Sequence, residues 1–147
     1  MKKFFGLLML ICMLTLTLTG CTTTKSYTYV VETGDSIKIE LNTSDGYDLS
    51  SNLPFTISKD GEIYSQGTFI TMDGYNQYID LVDRDVNSKI LDKGMKNGVT
   101  YTFYSYNNTE YNYIIKIDGS NTGVLLGSQK SQVEAENIFN LLKFSVE

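Results

Sequence analysis

The chain has 147 residues, with 12 basic and 17 acidic side chains and a formal net charge of −5. An acidic chain without a basic patch is unsuited to phosphate backbones, which argues against a nucleic-acid partner. Histidine is absent, so Ser–His and Cys–His nucleophile pairs and the usual zinc ligand sets are excluded, and no cofactor or metal is indicated.

The first predicted element is a secretory signal peptide over residues 1–20. Lys2 and Lys3 give it a positive start, and an apolar run extends from Phe4 to Leu18. A run of about fifteen residues is too short for a bilayer, which needs about twenty, so it is typical of a signal peptide rather than a membrane span. The run ends in Leu18-Thr19-Gly20-Cys21, which resembles the lipobox of bacterial lipoprotein precursors.

The lipobox resemblance implies cleavage between Gly20 and Cys21 and a diacylglyceryl group on the Cys21 thiol. The protein would then be lipid-anchored on the extracytoplasmic face of a cell membrane, because two acyl chains hold a protein stably. The other cysteine, Cys12, lies in the signal peptide, so the mature chain is expected to contain no disulfide. Residues 21–26 are predicted to be the lipidated cysteine and a short, structureless tether.

Residues 27–147 are predicted to form a single α+β domain. Polar and apolar residues alternate over 36–41, so Ile37, Ile39 and Leu41 are expected to face the core. Asp60-Gly61 predicts a tight hairpin. A loop is expected over 42–52. Strands are predicted over 27–32, 36–41, 53–57, 62–70, 99–106, 111–118 and 122–126.

Two helices are predicted. The first is short, begins at Asp73 as its cap, and has an apolar face. The second opens with the capping box Ser131-x-x-Glu134, and residues 83–97 between them are expected to be irregular or a short strand. The face of the first helix is Tyr75, Tyr78, Ile79 and Val82, that of the second is Ala135, Ile138, Phe139 and Leu142, and Phe144 and Val146 are expected to pack beyond its end.

These elements predict an antiparallel sheet of hairpins packed against a C-terminal helix and one shorter helix. The closing pattern of a Gly123–Leu126 strand, a helix and then Lys143-Phe144-Ser145 resembles the end of PsbP-like domains, over the last third of the chain. That resemblance implies an α/β/α sandwich in a secreted or lipid-anchored protein, usually a non-catalytic accessory or binding protein.

The candidate binding surface is a set of tyrosines in the predicted hairpin 99–118. Alternate strand residues share a face, so both faces of this hairpin carry aromatic rings. An exposed row would stack on sugar rings or grip a protein, since tyrosine is enriched at interfaces. The alternative, which we favour from the sequence, is cross-strand aromatic pairing that stabilises the sheet. The residues are Tyr101, Tyr104, Tyr106, Tyr111 and Tyr113.

The carboxylates give weaker indications of chemistry. Asp80, Asp83 and Asp85 could gather around Ca²⁺, but they lack the glycine and terminal glutamate of an EF-hand loop, so a solvated acidic corner with Arg84 as a partner is expected. Catalysis would have to use carboxylates alone, as in glycosidases, and no spacing selects two of them. The available ones are Asp45, Asp48, Glu62 and Asp73, and we expect no enzymatic activity.

The sequence therefore predicts a bacterial surface lipoprotein that binds an unknown protein or glycan partner. An alternative is an envelope protein that binds or cleaves glycans, which would need exposed tyrosines beside two carboxylates in a groove. A further alternative is a small immunity or exclusion lipoprotein, whose acidic charge would complement a basic toxin.

Overall fold

The computed structural model describes residues 23–147, so the predicted signal peptide and Cys21 lie outside the described residues. Within them the chain forms ten strands and two helices, and the predicted α+β class is confirmed. In chain order the elements are β1 Thr24–Val30, β2 Ser36–Asn42, β3 Asp48–Leu49, β4 Phe55–Lys59, β5 Glu62–Thr71, α1 Met72–Arg84, β6 Ser88–Lys96, β7 Val99–Tyr106, β8 Glu110–Ile117, β9 Thr122–Ser128, α2 Gln132–Leu141 and β10 Leu142–Val146.

The strands form two antiparallel sheets. The small sheet has the order β1-β2-β10, and the large sheet has the order β3-β4-β5-β9-β8-β7-β6. The predicted Asp60-Gly61 hairpin joins β4 to β5, and both turn residues adopt positive φ, at 53° and 79°. The predicted hairpin of β7 and β8 pairs along its whole length, from Val99 with Ile117 to Tyr106 with Glu110.

The large sheet has two differently covered faces. The inner face, which carries Phe103, Tyr113 and Leu126, packs against the small sheet and α2 in the main hydrophobic core. The outer face carries Thr102, Ile114 and Leu125 and is partly covered by α1. From the small sheet, Ile37, Ile39 and Leu41 enter the core fully buried, as predicted.

Helix α2 and strand β10 close the inner side. The Ser131 side chain accepts a hydrogen bond from the Glu134 N–H (3.2 Å), which confirms the cap. The Glu134 carboxylate accepts a bond from the Tyr47 hydroxyl (2.6 Å), so it links α2 to the loop before β3. Leu142 was expected on the helix face, but it begins β10, and Phe144 pairs with Ile39 and is buried.

Helix α1 lies on the outer face, where Tyr75 and Ile79 lie beside Thr102 of β7. Its cap is Thr71, whose hydroxyl accepts from the Gly74 N–H (3.2 Å), so the expectation that Asp73 caps the helix is wrong. Asp73 instead occupies the first turn, where the positive end of the helix dipole stabilises a carboxylate. Of the predicted apolar face, Val82 is buried and Tyr78 is 39% exposed.

Two other boundaries differ from prediction. Strand β1 begins at Thr24, three residues earlier than expected, so residues 24–26 pair with β2 rather than forming a tether. Residues 88–96, within the stretch expected to be irregular or a short strand, form the nine-residue strand β6 at the edge of the large sheet. Edge strands commonly carry charged side chains and bulges, and β6 has both, with a bulge at Leu91 that interrupts its alternation.

Candidate functional site

The tyrosines of the candidate surface divide between the two faces of the large sheet. Tyr113 is 4% exposed on the inner face, stacked between the rings of Phe103 (4.2 Å between centroids) and Phe139 of α2 (4.1 Å). Burial raises the pKa of the Tyr113 hydroxyl, so it stays protonated. Since Phe103 is also its cross-strand partner, Tyr113 has the aromatic pairing role, and it is unavailable to a ligand.

Tyr101 and Tyr111 also lie on the inner face. The Tyr101 ring is 4.9 Å from that of Phe139, and its hydroxyl donates to the Asp92 carboxylate (2.8 Å). The Tyr111 hydroxyl donates to the backbone carbonyl of Asn108 (3.2 Å) in the β7–β8 turn. Both side chains are partly buried and already hydrogen-bonded within the protein.

Tyr104 and Tyr106 lie on the outer face. Tyr106 is 36% exposed, whereas Tyr104 is half-buried. Burial raises the pKa of the Tyr104 hydroxyl, and the neighbouring Tyr78 and Glu110 add to the rise, so Tyr104 remains a hydrogen-bond donor at neutral pH. The five tyrosines therefore do not form one exposed surface, and of the outer pair Tyr104 lines a groove on that face.

A groove of about 620 Å³ opens on the outer face, and we call it the outer groove. A row of directly paired residues crosses its floor: Gln66 lies opposite Gly127, Gly127 opposite Asn112, and Asn112 opposite Tyr104. Directly opposite residues share a face, so this row belongs to one surface. It covers three strand spacings of about 4.8 Å, which gives a length of about 14 Å.

Gly127 makes room in this floor. A Cβ atom at this position would lie 2.9 Å from the Asn112 side-chain oxygen, so the Asn112 amide reaches over the glycine. Glycine inside a strand often marks such a close approach. Gly127 within β9 is therefore a local sequence signal of the groove. The prediction made from the sequence did not include this residue or the groove. Thr68 and Leu125 form the next paired row, and Glu110 lies at the other end of the groove.

The outer groove is rich in neutral hydrogen-bonding groups. The carboxamides of Gln66, Asn112 and Gln129 can both donate and accept, and Glu110 is its single carboxylate. Among the described residues that line it, none is lysine or arginine. Each residue of the floor row is paired with a neighbouring strand on both sides, so side chains rather than free backbone groups are available to a ligand there.

The acidic corner at the end of α1 is internally paired. Asp80 lies 3.6 Å from Arg84, as expected, and Asp83 lies 3.5 Å from Lys93. Asp85 accepts a hydrogen bond from the Ser88 hydroxyl (2.9 Å). No group of three or more potential metal-binding side chains occurs within residues 23–147.

The carboxylates considered for catalysis do not meet in the outer groove. Asp48 forms an ion pair with Lys25 (2.6 Å), and Glu62 forms one with Lys130 (2.9 Å) that lowers the pKa of the Glu62 carboxyl. Cleavage of a glycan by the two-carboxylate mechanism needs a pair flanking the scissile bond. Among its described lining residues the groove offers Glu110 alone, so it lacks the carboxylate pair that this mechanism needs.

The start of the folded chain is fixed close to Cys21. The Thr23 carbonyl accepts hydrogen bonds from the Thr43 N–H (2.8 Å) and the Thr43 hydroxyl (3.0 Å). Only Thr22 separates Cys21 from this anchored carbonyl. Two residues span at most about 7 Å, so the connection between Cys21 and the folded domain is shorter than the six-residue tether predicted from the sequence.

Comparison with known proteins identifies no relative: no family model matches the chain, and no curated protein or solved structure matches it. Of the helices in the described part, neither has the length and apolar character needed to cross a membrane.

Proposed function

We propose that the chain is a bacterial surface lipoprotein, anchored to the membrane through a diacylglyceryl group on Cys21, with an α+β domain that binds a ligand rather than transforming it. The outer groove is its binding site. The observation that carries the binding role is this groove, which lies open on a sheet whose opposite face is packed into the core.

The anchor is supported by the Leu18-Thr19-Gly20-Cys21 sequence and by the apolar run before it. The start of β1 is compatible with it, because Thr23 is held by the fold two residues after Cys21. An anchored Cys21 would keep this end of the domain within about 7 Å of the lipid headgroups.

The binding role is supported by the composition of the groove. Ligand pockets are concave and place a few polar groups among apolar ones, and their usual volumes of about 300–1,000 Å³ include that of the outer groove. Its polar row is set on strands rather than loops, so the side chains are held in fixed positions.

The anchor is tested by expressing the full chain in a bacterial host with labelled palmitate, followed by membrane fractionation. We expect the wild type to carry the label in the membrane fraction, and Cys21→Ser to lose it because no thiol remains to be acylated. Cys12→Ser is the matched control and should behave as the wild type. Wild-type protein without label, or label retained by Cys21→Ser, would refute the anchor.

A further inference from the structure

We propose that the outer groove binds a neutral oligosaccharide, a short segment of an envelope glycan. This assignment rests on the proposed function and names the ligand class of that site. It follows from four properties of the groove: its charge, its inaccessible backbone, its row of amides ending in a tyrosine, and its position relative to the start of β1.

The charge of the groove disfavours anionic ligands, and the nearest lysine, Lys130 over the ring of Tyr64, is paired with Glu62. Glu110 lies in it, and no lysine or arginine is among its lining residues. Phosphate, sulfate and carboxylate ligands are normally held by such cations, and here they would meet a carboxylate instead. A ligand of this groove is therefore neutral or carries an isolated amine.

The backbone of the groove excludes peptide binding by strand addition. That mode needs a free strand edge, and each residue of the floor row is paired with a neighbouring strand on both sides. Helical peptides need a continuous apolar groove, whereas this floor is interrupted by Gln66 and Asn112. Recognition must come from side chains that project from the floor.

The amide row suits sugar hydroxyl groups. A carboxamide donates and accepts at once, as a sugar hydroxyl does, so Gln66 and Asn112 can pair with neighbouring hydroxyls on a ring. Tyr104 ends the row with an aromatic ring and a protonated hydroxyl. Between the amides, Gly127 has no side chain, so the Asn112 amide can lie over the floor, where it presents its donor and acceptor groups. The row is about 14 Å long, so a chain of sugar rings fits better than one ring.

The groove also lies near the anchored end of the domain. Lys25 of β1 bonds to Asp48, Asp48 pairs with Ser58, and Ser58 pairs with Ile63, which lines the groove. The start of β1 is therefore separated from the rim of the groove by one ion pair and two strand-to-strand steps. With Cys21 anchored, the groove would therefore lie close to the membrane, near the glycan found there.

The test is calorimetric titration of the full protein, extracted in detergent, with chitotriose, cellotriose and maltotriose. Glucose 6-phosphate and trialanine serve as anionic and peptide probes. We expect saturable binding of at least one trisaccharide and none of glucose 6-phosphate. Asn112→Ala should weaken trisaccharide binding about tenfold or more because it removes the amide. Gly127→Ala should weaken binding to a similar extent because its methyl group displaces the Asn112 amide. Asn137→Ala, an exposed asparagine on α2, is the matched control and should bind as the wild type.

Thermal melts of each variant show whether it is folded, and Gly127→Ala should be, since its new methyl group meets the end of a side chain rather than backbone. Absence of binding by all three trisaccharides at millimolar concentration overturns the oligosaccharide assignment, as does binding that survives both groove variants. Binding of trialanine in the groove, without binding of any trisaccharide, would also overturn the oligosaccharide assignment. The proposed binding role of the groove would then still hold. Wild-type protein that carries no palmitate label but still binds a trisaccharide would refute the anchor alone.

Discussion

Asp35 lies in the turn between β1 and β2 and connects the small sheet to the large one. Its carboxylate accepts hydrogen bonds from the Thr122 hydroxyl (2.8 Å), the Asn121 N–H (2.9 Å) and the Thr33 hydroxyl (3.2 Å). The bond from Thr122, followed by those from Asn121 and Thr33, holds the pKa of the Asp35 carboxyl below its usual value. Hydrogen bonds that favour the charged form stabilise the folded state.

This network predicts a pH dependence of stability. A carboxyl with a lowered folded pKa stabilises the protein above its unfolded pKa, and this contribution is lost as the pH falls through the folded pKa. In urea unfolding between about pH 6 and about pH 3, Asp35→Asn should therefore show a shallower loss of unfolding free energy than the wild type. Thr122→Val removes the main hydrogen-bond donor to Asp35, so it should also make the loss of unfolding free energy with falling pH shallower. Slopes equal to the wild type in both variants would contradict this role.

The tyrosines show what a sequence can and cannot decide about single residues. Strand alternation correctly separated Tyr101 from Tyr104 and Tyr106. It could not show which face of the hairpin is the buried one, because that depends on where α2 packs. Phe139, 26 positions after Tyr113 in the chain, decides it by stacking on the Tyr113 ring.

At the scale of elements, the start of α1 provides a direct comparison between two candidate caps. Thr71 accepts the Gly74 N–H, so Thr71→Ala should lower the unfolding free energy by about 1 kcal/mol. Asp73→Ala removes only a charge near the helix dipole and should cost about 0.3–1 kcal/mol. Urea denaturation measures both, and Thr71→Ser is the control that keeps the hydroxyl. A larger loss for Asp73→Ala than for Thr71→Ala would restore Asp73 as the cap.

The elements that the sequence predicted well share local signals. Alternation identified β2, the Asp-Gly turn identified the β4–β5 hairpin, and the capping box identified the start of α2. The extent of β6 and the existence of β10 were missed for physical reasons. Strand β6 is an edge strand with a bulge and many charges, and β10 follows α2 without a turn residue to mark the change.

At the scale of the whole molecule, the sequence predicted the class but not the division into two sheets. Pairing of β10 with β2 joins residues far apart in the chain, and local patterns carry no information about such partners. The outer groove is also a product of tertiary structure. Its floor takes one residue from each of β5, β9, β8 and β7, and no stretch of sequence contains the set.

The central claim is that the ligand site is the outer groove and not the inner side of the tyrosine hairpin. The most direct measurement is an NMR titration of the isotope-labelled protein with chitotriose, cellotriose and maltotriose, following the backbone amide signals. We predict that the shifts concentrate at Gln66, Asn112 and Gly127. Shifts that concentrate instead around Tyr101 and Tyr111, or that leave the groove unchanged, would contradict the claim.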